Sequence, residues 1–323
     1  MANKLKKIIV IICVLALTLA GCASPSPSSS ANTPDINPKA EAANKDTLDV
    51  ALYFCYRGEN LLAAETRTID VPVSATLEEA VVKALIAGPS AGQSELSGLF
   101  WKGVTLATDG ISSNGNVLFV TLSQEFVSTQ PKQDELALES ASASEQKLLA
   151  LESIASTIVE MGTYSSVQIQ VDRGTGLGGR ITQAEAGMDG ASAASLEPLG
   201  RDGDLLLTPE NTLKQALDAF NKKNWTRLYN FTAYTSPDGT QKPDSDAFSE
   251  TLGKPGNVLE TYSVVGSNVS YDGQTAVVMI NCAIKTREGD TVENKNIPVV
   301  MVRESYIWKV SYISILNILV NAE

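Results

Sequence analysis

Apolar and polar residues alternate with period two through Leu48, Val50, Leu52, Phe54 and Tyr56, which predicts a strand over Leu48 to Arg57. A second extended run covers Thr66 to Pro72. The period then changes: Leu77, Val81 and Leu85 recur at helical spacing behind Thr76-Leu77-Glu78-Glu79, a capping-box pattern, and Gly88-Pro89 ends the helix. Strands follow over Val104 to Ser112 and Asn116 to Leu122. The Ser113-Asn114-Gly115 between them supplies the positive φ angles of a tight hairpin. A second helix, about Glu145 to Met161, turns Leu148, Leu151, Ile154, Ala155 and Ile158 inward, and Val167, Ile169 and Val171 alternate in a closing strand over Ser165 to Val171. The order ββαββαβ predicts an α+β sandwich with helices on one sheet face. It excludes a doubly wound parallel sheet, because hairpins make antiparallel neighbours.

Residues 174–206 are rich in Gly, Ala and Ser and read as a linker or a loose wrap-around tail. A second pattern starts at Thr208-Pro209-Glu210, an N-cap followed by proline at the first helical position. Leu213, Ala216, Leu217 and Phe220 then recur at helical spacing, and a shorter helix carries Trp225, Leu228 and Tyr229. Strands over Leu259 to Tyr271, Gln274 to Thr286, Thr291 to Arg303 and Tyr306 to Ser314 are joined by Asp272-Gly273, Glu288-Gly289-Asp290 and Glu304-Ser305, turns short enough for an antiparallel meander.

Ahead of both patterns lies a basic stretch, Met1 to Lys7, and an apolar run, Ile8 to Ala20, in which only Thr18 is polar. A run of that length is short of the ~17–25 residues that span a bilayer, so it reads as the apolar core of a signal peptide occupying residues 1–21. It ends Leu19-Ala20-Gly21-Cys22, which resembles the lipobox of bacterial lipoproteins. The resemblance implies cleavage between Gly21 and Cys22 and a diacylglyceryl group on Cys22, whose two acyl chains give the double signal that stable anchoring requires. Residues 22–46, with Pro25, Pro27, Pro34 and Pro38 and Ile36 as the sole large apolar residue before Leu48, cannot order themselves and read as a tether with a reach of roughly 25 Å.

Two further resemblances follow from residues already named. The helix end Ala84-Leu85-Ile86-Ala87-Gly88-Pro89, the later Gly98-Leu99, the strand Asn116 to Ser123 with Phe126 behind it, and the helix leading into Ser166 to Val171 resemble the sporulation and spore germination (GerMN) domain, over residues 47–173. Paired helices before a curved meander, with the ending VVMVRESYIWKVSYIS, resemble the NTF2-like, cystatin-type cone fold over residues 207–323. The first resemblance implies a part in sporulation or germination through contact with envelope or spore proteins; the second implies an accessory binding or oligomerisation module.

Composition narrows the chemistry. The 323 residues contain no histidine, which removes Ser/His/Asp and Cys/His nucleophiles and His-ligated metals. Without Lys4, Lys6 and Lys7, a chain starting at Cys22 has 22 bases against 37 acids, a net of −15. It lacks the footprint of a nucleic-acid binder and is repelled by anionic headgroups, so attachment to a membrane must be covalent or apolar. Cys55 and Cys282 either pair across the two halves or are two buried small hydrophobes, the second being favoured, and no cysteine-ligated metal site can be built.

The motifs that look chemical each have a structural explanation. Gly174-Thr175-Gly176-Leu177-Gly178-Gly179 fits GxGxxG, but Gly187, Gly190 and Pro198 interrupt the long helix a dinucleotide needs. Ser144-Glu145-Gln146-Lys147 fits SxxK without its partner motifs, and Ser144 reads as a helix N-cap. The pairs Glu78/Glu79 and Asp134/Glu135 invite a glycosidase reading, yet are explained by a cap and a solvated loop. Trp225, Tyr229, Phe231 and Tyr234 form an aromatic cluster that is either packed core or a candidate ligand pocket in the cone. The expectation is a non-catalytic, cofactor-free lipoprotein on the extracytoplasmic face of the membrane of a Gram-positive spore former. The alternatives are a lipoprotein that captures a small molecule or cell-wall fragment, and a peptidoglycan hydrolase.

Overall fold

Strand β1 (Asp46–Tyr56) pairs antiparallel with β2 (Leu62–Val71), from Asp46 opposite Val71 to Cys55 opposite Leu62. The computed structural model describes residues 46–56, 58–137, 142–188 and 193–320. The signal segment with Gly21 and Cys22, and the tether through residue 45, lie outside them. Helix α1 (Leu77–Ala87) starts where Thr76 Oγ1 accepts from the Glu79 amide at 3.2 Å. Glu79 turns its own carboxylate to Lys83 Nζ at 2.6 Å, so the box closes on one side only. Gly88 ends the helix at φ 90, a left-handed conformation that L side chains rarely adopt, and its Cα lies against Gly98. The two glycine positions distant in sequence thus form one contact.

The two-residue strand β3 (Leu96–Ser97) completes the first sheet, in the order β2-β1-β3. A second sheet follows from β4 (Leu106–Asn114), β5 (Val117–Ser123), β6 (Ser166–Asp172) and β7 (Gly178–Arg180), in that order. Its β5–β6 pair is parallel, because the chain crosses over through a one-turn helix α2 (Glu125–Ser128) and the long helix α3 (Ala143–Glu160). Helix α3 touches both β1 and β6. The expected arrangement, helices on one sheet face, is therefore corrected: α3 lies between two sheets and is buried on almost every side, from Gln146 to Ile158.

That position explains two of the buried hydroxyls on the helix. β3 covers the edge of β1 only at Cys55 and Tyr56. At Tyr53 the edge is completed by α3 instead: Thr157 Oγ1 accepts from the Tyr53 amide at 3.1 Å, and Ser153 Oγ donates to the Tyr53 carbonyl at 2.5 Å. Buried backbone groups need such partners.

The glycine-rich segment takes the wrap-around form. β7 pairs with β6, Val167 bridges to Leu199, Thr182 bridges to Ser195, and Ile181, Ala186 and Leu196 are buried. The segment then joins Leu206 to Leu62 in a parallel bridge.

In the last third, α4 (Pro209–Asn221) is capped by Thr208 as expected, and α5 (Trp225–Phe231) by Asn224. A further helix, α6 (Ser245–Gly253), is capped by Asp244, which accepts from the amides of Asp246 and Ala247. Strands β8 (Val258–Val269), β9 (Thr275–Lys285), β10 (Thr291–Glu304) and β11 (Ile307–Val310) form an antiparallel meander, with α4 against β8, β9 and β11. The predicted strand Tyr306 to Ser314 is too long. It stops at Val310, since Ser311 accepts from the Ser314 amide at 3.3 Å and starts α7 (Tyr312–Leu319), whose Tyr312, Ile315, Ile318 and Leu319 are buried at helical spacing. Cys55 and Cys282 are both buried and free.

The two halves are bonded to each other. Tyr56 packs on Phe231 with ring centroids 5.6 Å apart, and Arg227 clasps Glu59 through Nε at 2.8 Å and Nη2 at 2.9 Å. The buried Lys309 reaches Glu95 at 2.8 Å. From Lys45 onward the chain is one compact unit, a mixed α+β fold with three sheets.

Candidate functional site

The structure closes the chemical-looking motifs one by one. At GxGxxG, Asp172 Oδ1 accepts from the amides of Gly174, Thr175 and Gly176 at 2.9, 2.9 and 3.0 Å. The amides that would cradle a phosphate are thus filled by the chain's own carboxylate, and β7 follows instead of a helix. At SxxK, the N-cap is Ser142, not Ser144: Ser142 Oγ accepts from the Glu145 amide, and Glu145 returns a bond to the Ser142 amide. Ser144 is exposed, whereas the Lys147 ammonium turns inward to stand 5.8 Å from the Trp101 ring and 6.0 Å from Phe126. Burial lowers its pKa, opposed by the nearby Glu185. Of the acid pairs, Glu79 is taken by Lys83, and Glu135 accepts from the backbone amides of Lys132 and Lys102, which hold its carboxyl below the usual range.

The carboxyl with a raised pKa is one that sequence inspection passed over. Glu152, on α3, is pushed up to about 7 by burial and then by Asp202, and its Oε2 has no hydrogen-bond partner among the described residues. It is buried, and it lines neither of the two grooves described below.

The four aromatic residues proposed as a pocket are divided among different contacts. Trp225 packs edge-on against Phe220 at 5.8 Å, and Tyr229 edge-on against Phe248 at 5.2 Å. Phe231 is fully buried against Tyr56, while Tyr234 is exposed. The other face of Tyr229 is covered by Lys242, whose Nζ lies 3.8 Å from the ring centroid and donates to the Tyr229 and Thr232 carbonyls at 2.8 and 2.7 Å. Burial, with Lys309 adding to it, lowers the Lys242 pKa to about 8.

Space for a ligand lies elsewhere. A groove of about 400 Å³ runs along Leu48 to Ala51, Leu77 and the end of α3, where its acid, Glu160, is paired with Arg201 at 2.9 Å. A larger groove, about 630 Å³, is lined by Asp49, Thr66 and Thr68 of the first sheet and by Asp272, Gln274, Arg303, Ser305 and Tyr306 of the meander's hairpins. Its centre of charge is Arg303. Tyr306 and Ser305 hold left-handed φ angles of 71 and 49, uncommon for side-chain-bearing residues, and their turn brings the Tyr306 carbonyl back to Arg303 Nε at 3.3 Å. The guanidinium rests 5.7 Å from the Trp308 ring centroid. No residue of the meander's sequence pattern announced this groove, because it needs β1–β2 and two hairpins from the far end of the chain.

Residues 51–174 match the family model described as Germane, sporulation and spore germination. This stretch of the first half is thus similar to a sporulation- and germination-related domain. Among solved structures the chain is similar to the tandem GerMN domains of the sporulation protein GerM from Bacillus subtilis, at 19% identity over 48% of this chain and 46% of that one, with a TM-score of 0.33. The chain thus spans about half the length of that relative. No curated protein matches it. Among the described residues no helix is long and apolar enough to cross a membrane.

Proposed function

We propose that this chain is a membrane-anchored, extracytoplasmic lipoprotein that acts without catalysis in sporulation or spore germination, by contact with envelope or spore proteins. The family match over residues 51–174 carries the process. The lipobox resemblance at Gly21-Cys22 supports the anchor, and the tether before β1 would let the folded unit stand off the membrane at high effective concentration near its partners. Among the described residues the GxGxxG amides, Glu79 and Glu135 are occupied by internal bonds, which supports a binding role over a hydrolytic one. The β8–β11 meander with its helices is consistent with an NTF2-like accessory module. Replacing Cys22 by Ala in the producing cell is the direct test. The variant is expected in the soluble fraction with a sporulation or germination defect; membrane retention would overturn the anchor, and normal spores from a strain lacking the gene would overturn the process.

A further inference from the structure

Arg303 differs from the other guanidiniums that are at least partly shielded from water. Arg67 is paired with Glu65, Arg201 with Glu160, and Arg227 with Glu59 and Asp218. Arg303 has no carboxylate among the described residues. Its Nε is bonded to the Tyr306 carbonyl, but among the described residues neither terminal nitrogen has an acceptor, and burial lowers its pKa, opposed by Tyr53 and Tyr306. The groove's own acids do not fill the gap. Asp272 Oδ1 accepts from Ser270 Oγ at 2.6 Å and from the Gln274 amide at 3.0 Å, and Asp49 Oδ1 accepts from Thr68 Oγ1 at 2.6 Å. Each is turned into its own sheet or turn, and its second oxygen has no hydrogen-bond partner among the described residues.

The lining therefore offers a fork of N–H donors and a carboxylate, Asp272, from the meander's hairpins and a second carboxylate, Asp49, from the first sheet, with the Thr66 hydroxyl and the Gln274 amide among its polar groups. A planar, aromatic-backed guanidinium is the group that recognises a carboxylate by two parallel hydrogen bonds. One cation against two acids gives the lining a net negative charge, which disfavours a phosphate dianion. It favours a ligand that presents its carboxylate to Arg303 and an ammonium to Asp49 and Asp272. The groove's volume lies within the ~300–1,000 Å³ of small-molecule sites. We propose that this groove binds the free ends of a short zwitterionic peptide, with Arg303 as the carboxylate clamp. The site is independent of the lipid anchor and of any sporulation phenotype, so its test and theirs fail separately.

The probe is tri-alanine, titrated into the full chain labelled with ¹⁵N, with its C-terminal amide, its N-acetyl form and inorganic phosphate as comparisons. Tri-alanine is expected to shift the Arg303 Nε–H and Trp308 indole signals, and amidation should weaken binding at least about tenfold. Acetylation and Asp49→Asn should each weaken it less. Arg303→Gln should match the loss on amidation while its melting temperature stays that of the parent; if that variant unfolds, the comparison of acid with amide on the parent protein still decides. Equal affinity for acid and amide, phosphate binding as tightly as tri-alanine, or no shift at Arg303 with tri-alanine at tens of millimolar would each overturn the proposal.

Discussion

Helix α3 in the first half and the β10–β11 hairpin in the second both hold polar side chains against apolar surface, and they satisfy them differently. α3 is enclosed by two sheets, and three of its polar side chains are bonded internally: Ser153 and Thr157 to Tyr53, and Gln146 to the Leu99 and Glu135 carbonyls at 3.0 Å each. The meander is covered by helices on one face, while β8 is exposed along most of its length, with Val265 and Val269 open to solvent. At its hairpin ends Arg303 can stay without an acid because water reaches the groove. Enclosure forces polar groups to be matched inside the fold; partial exposure lets one remain available for a ligand. The exceptions on the enclosed helix are Ser156, whose buried Oγ has no hydrogen-bond partner among the described residues, and Glu152, which carries its mismatch as a raised pKa.

The largest effect should come from stripping the enclosed polar bonds. Ser153→Ala with Thr157→Val leaves both main-chain groups of Tyr53 buried and unpaired, and at ~1–3 kcal/mol for each group chemical denaturation should show a loss of about 4 kcal/mol. A loss no larger than that of an exposed α1 substitution would break the comparison.

Next is the pH dependence of Glu152. Its folded pKa of about 7 lies above the ordinary carboxyl value, so the folded state binds the extra proton and stability falls as pH rises between the two. The penalty is absent below pH ~4.5 and complete above pH ~7, where the shift corresponds to about 3 kcal/mol. Glu152→Gln should therefore unfold at higher temperature than the parent at pH 8 and at the same temperature at pH 4. A gain of equal size at both pH values would show that ionisation is not the cause.

A smaller loss is expected at the seam. Arg227 holds Glu59 bidentately with both side chains mostly shielded, so Glu59→Gln should cost about 2 kcal/mol, in the range of hydrogen bonds to charged groups. A double-mutant cycle with Arg227→Gln measures the coupling, and a coupling near zero would mean that the halves are held by their other contacts, Tyr56 on Phe231 and Lys309 with Glu95 among them. The smallest effect, of opposite sign, is at the exposed hairpin. Ser305→Gly removes the left-handed strain of a side-chain-bearing residue and should stabilise by about 1 kcal/mol. A destabilised variant would show that the Ser305 side chain supports the turn.

Much of the local structure was legible in the chain. Thr208-Pro209 did start a helix, Asn114-Gly115 did close a hairpin, and Asp272-Gly273 did turn β8 into β9, because caps and turns are decided by residues within a few positions. The errors came where neighbours in space outweighed neighbours in sequence. Tyr312 to Ser314 read as the end of a strand that starts at Tyr306, but the Ser311 cap and the buried face at helical spacing put them in a helix. The glycine-rich stretch reads equally as a linker or a wrap-around tail, and only the burial of Ile181 and Leu196 against β6 and its neighbours decides for the tail. The aromatic cluster suggested a pocket, and Lys242 and Phe248 fill the space around Tyr229.

The sequence by itself determined the order of most elements, the exclusion of histidine chemistry and the acidic character of the chain from Cys22 onward, since composition and short-range periodicity do not depend on what packs where. Only the tertiary structure decided that α3 runs between two sheets, that Glu152 titrates near neutrality and that Arg303 faces a groove with Asp49 across more than two hundred residues of chain. Those properties arise from burial and from contacts between distant segments, which no local pattern encodes.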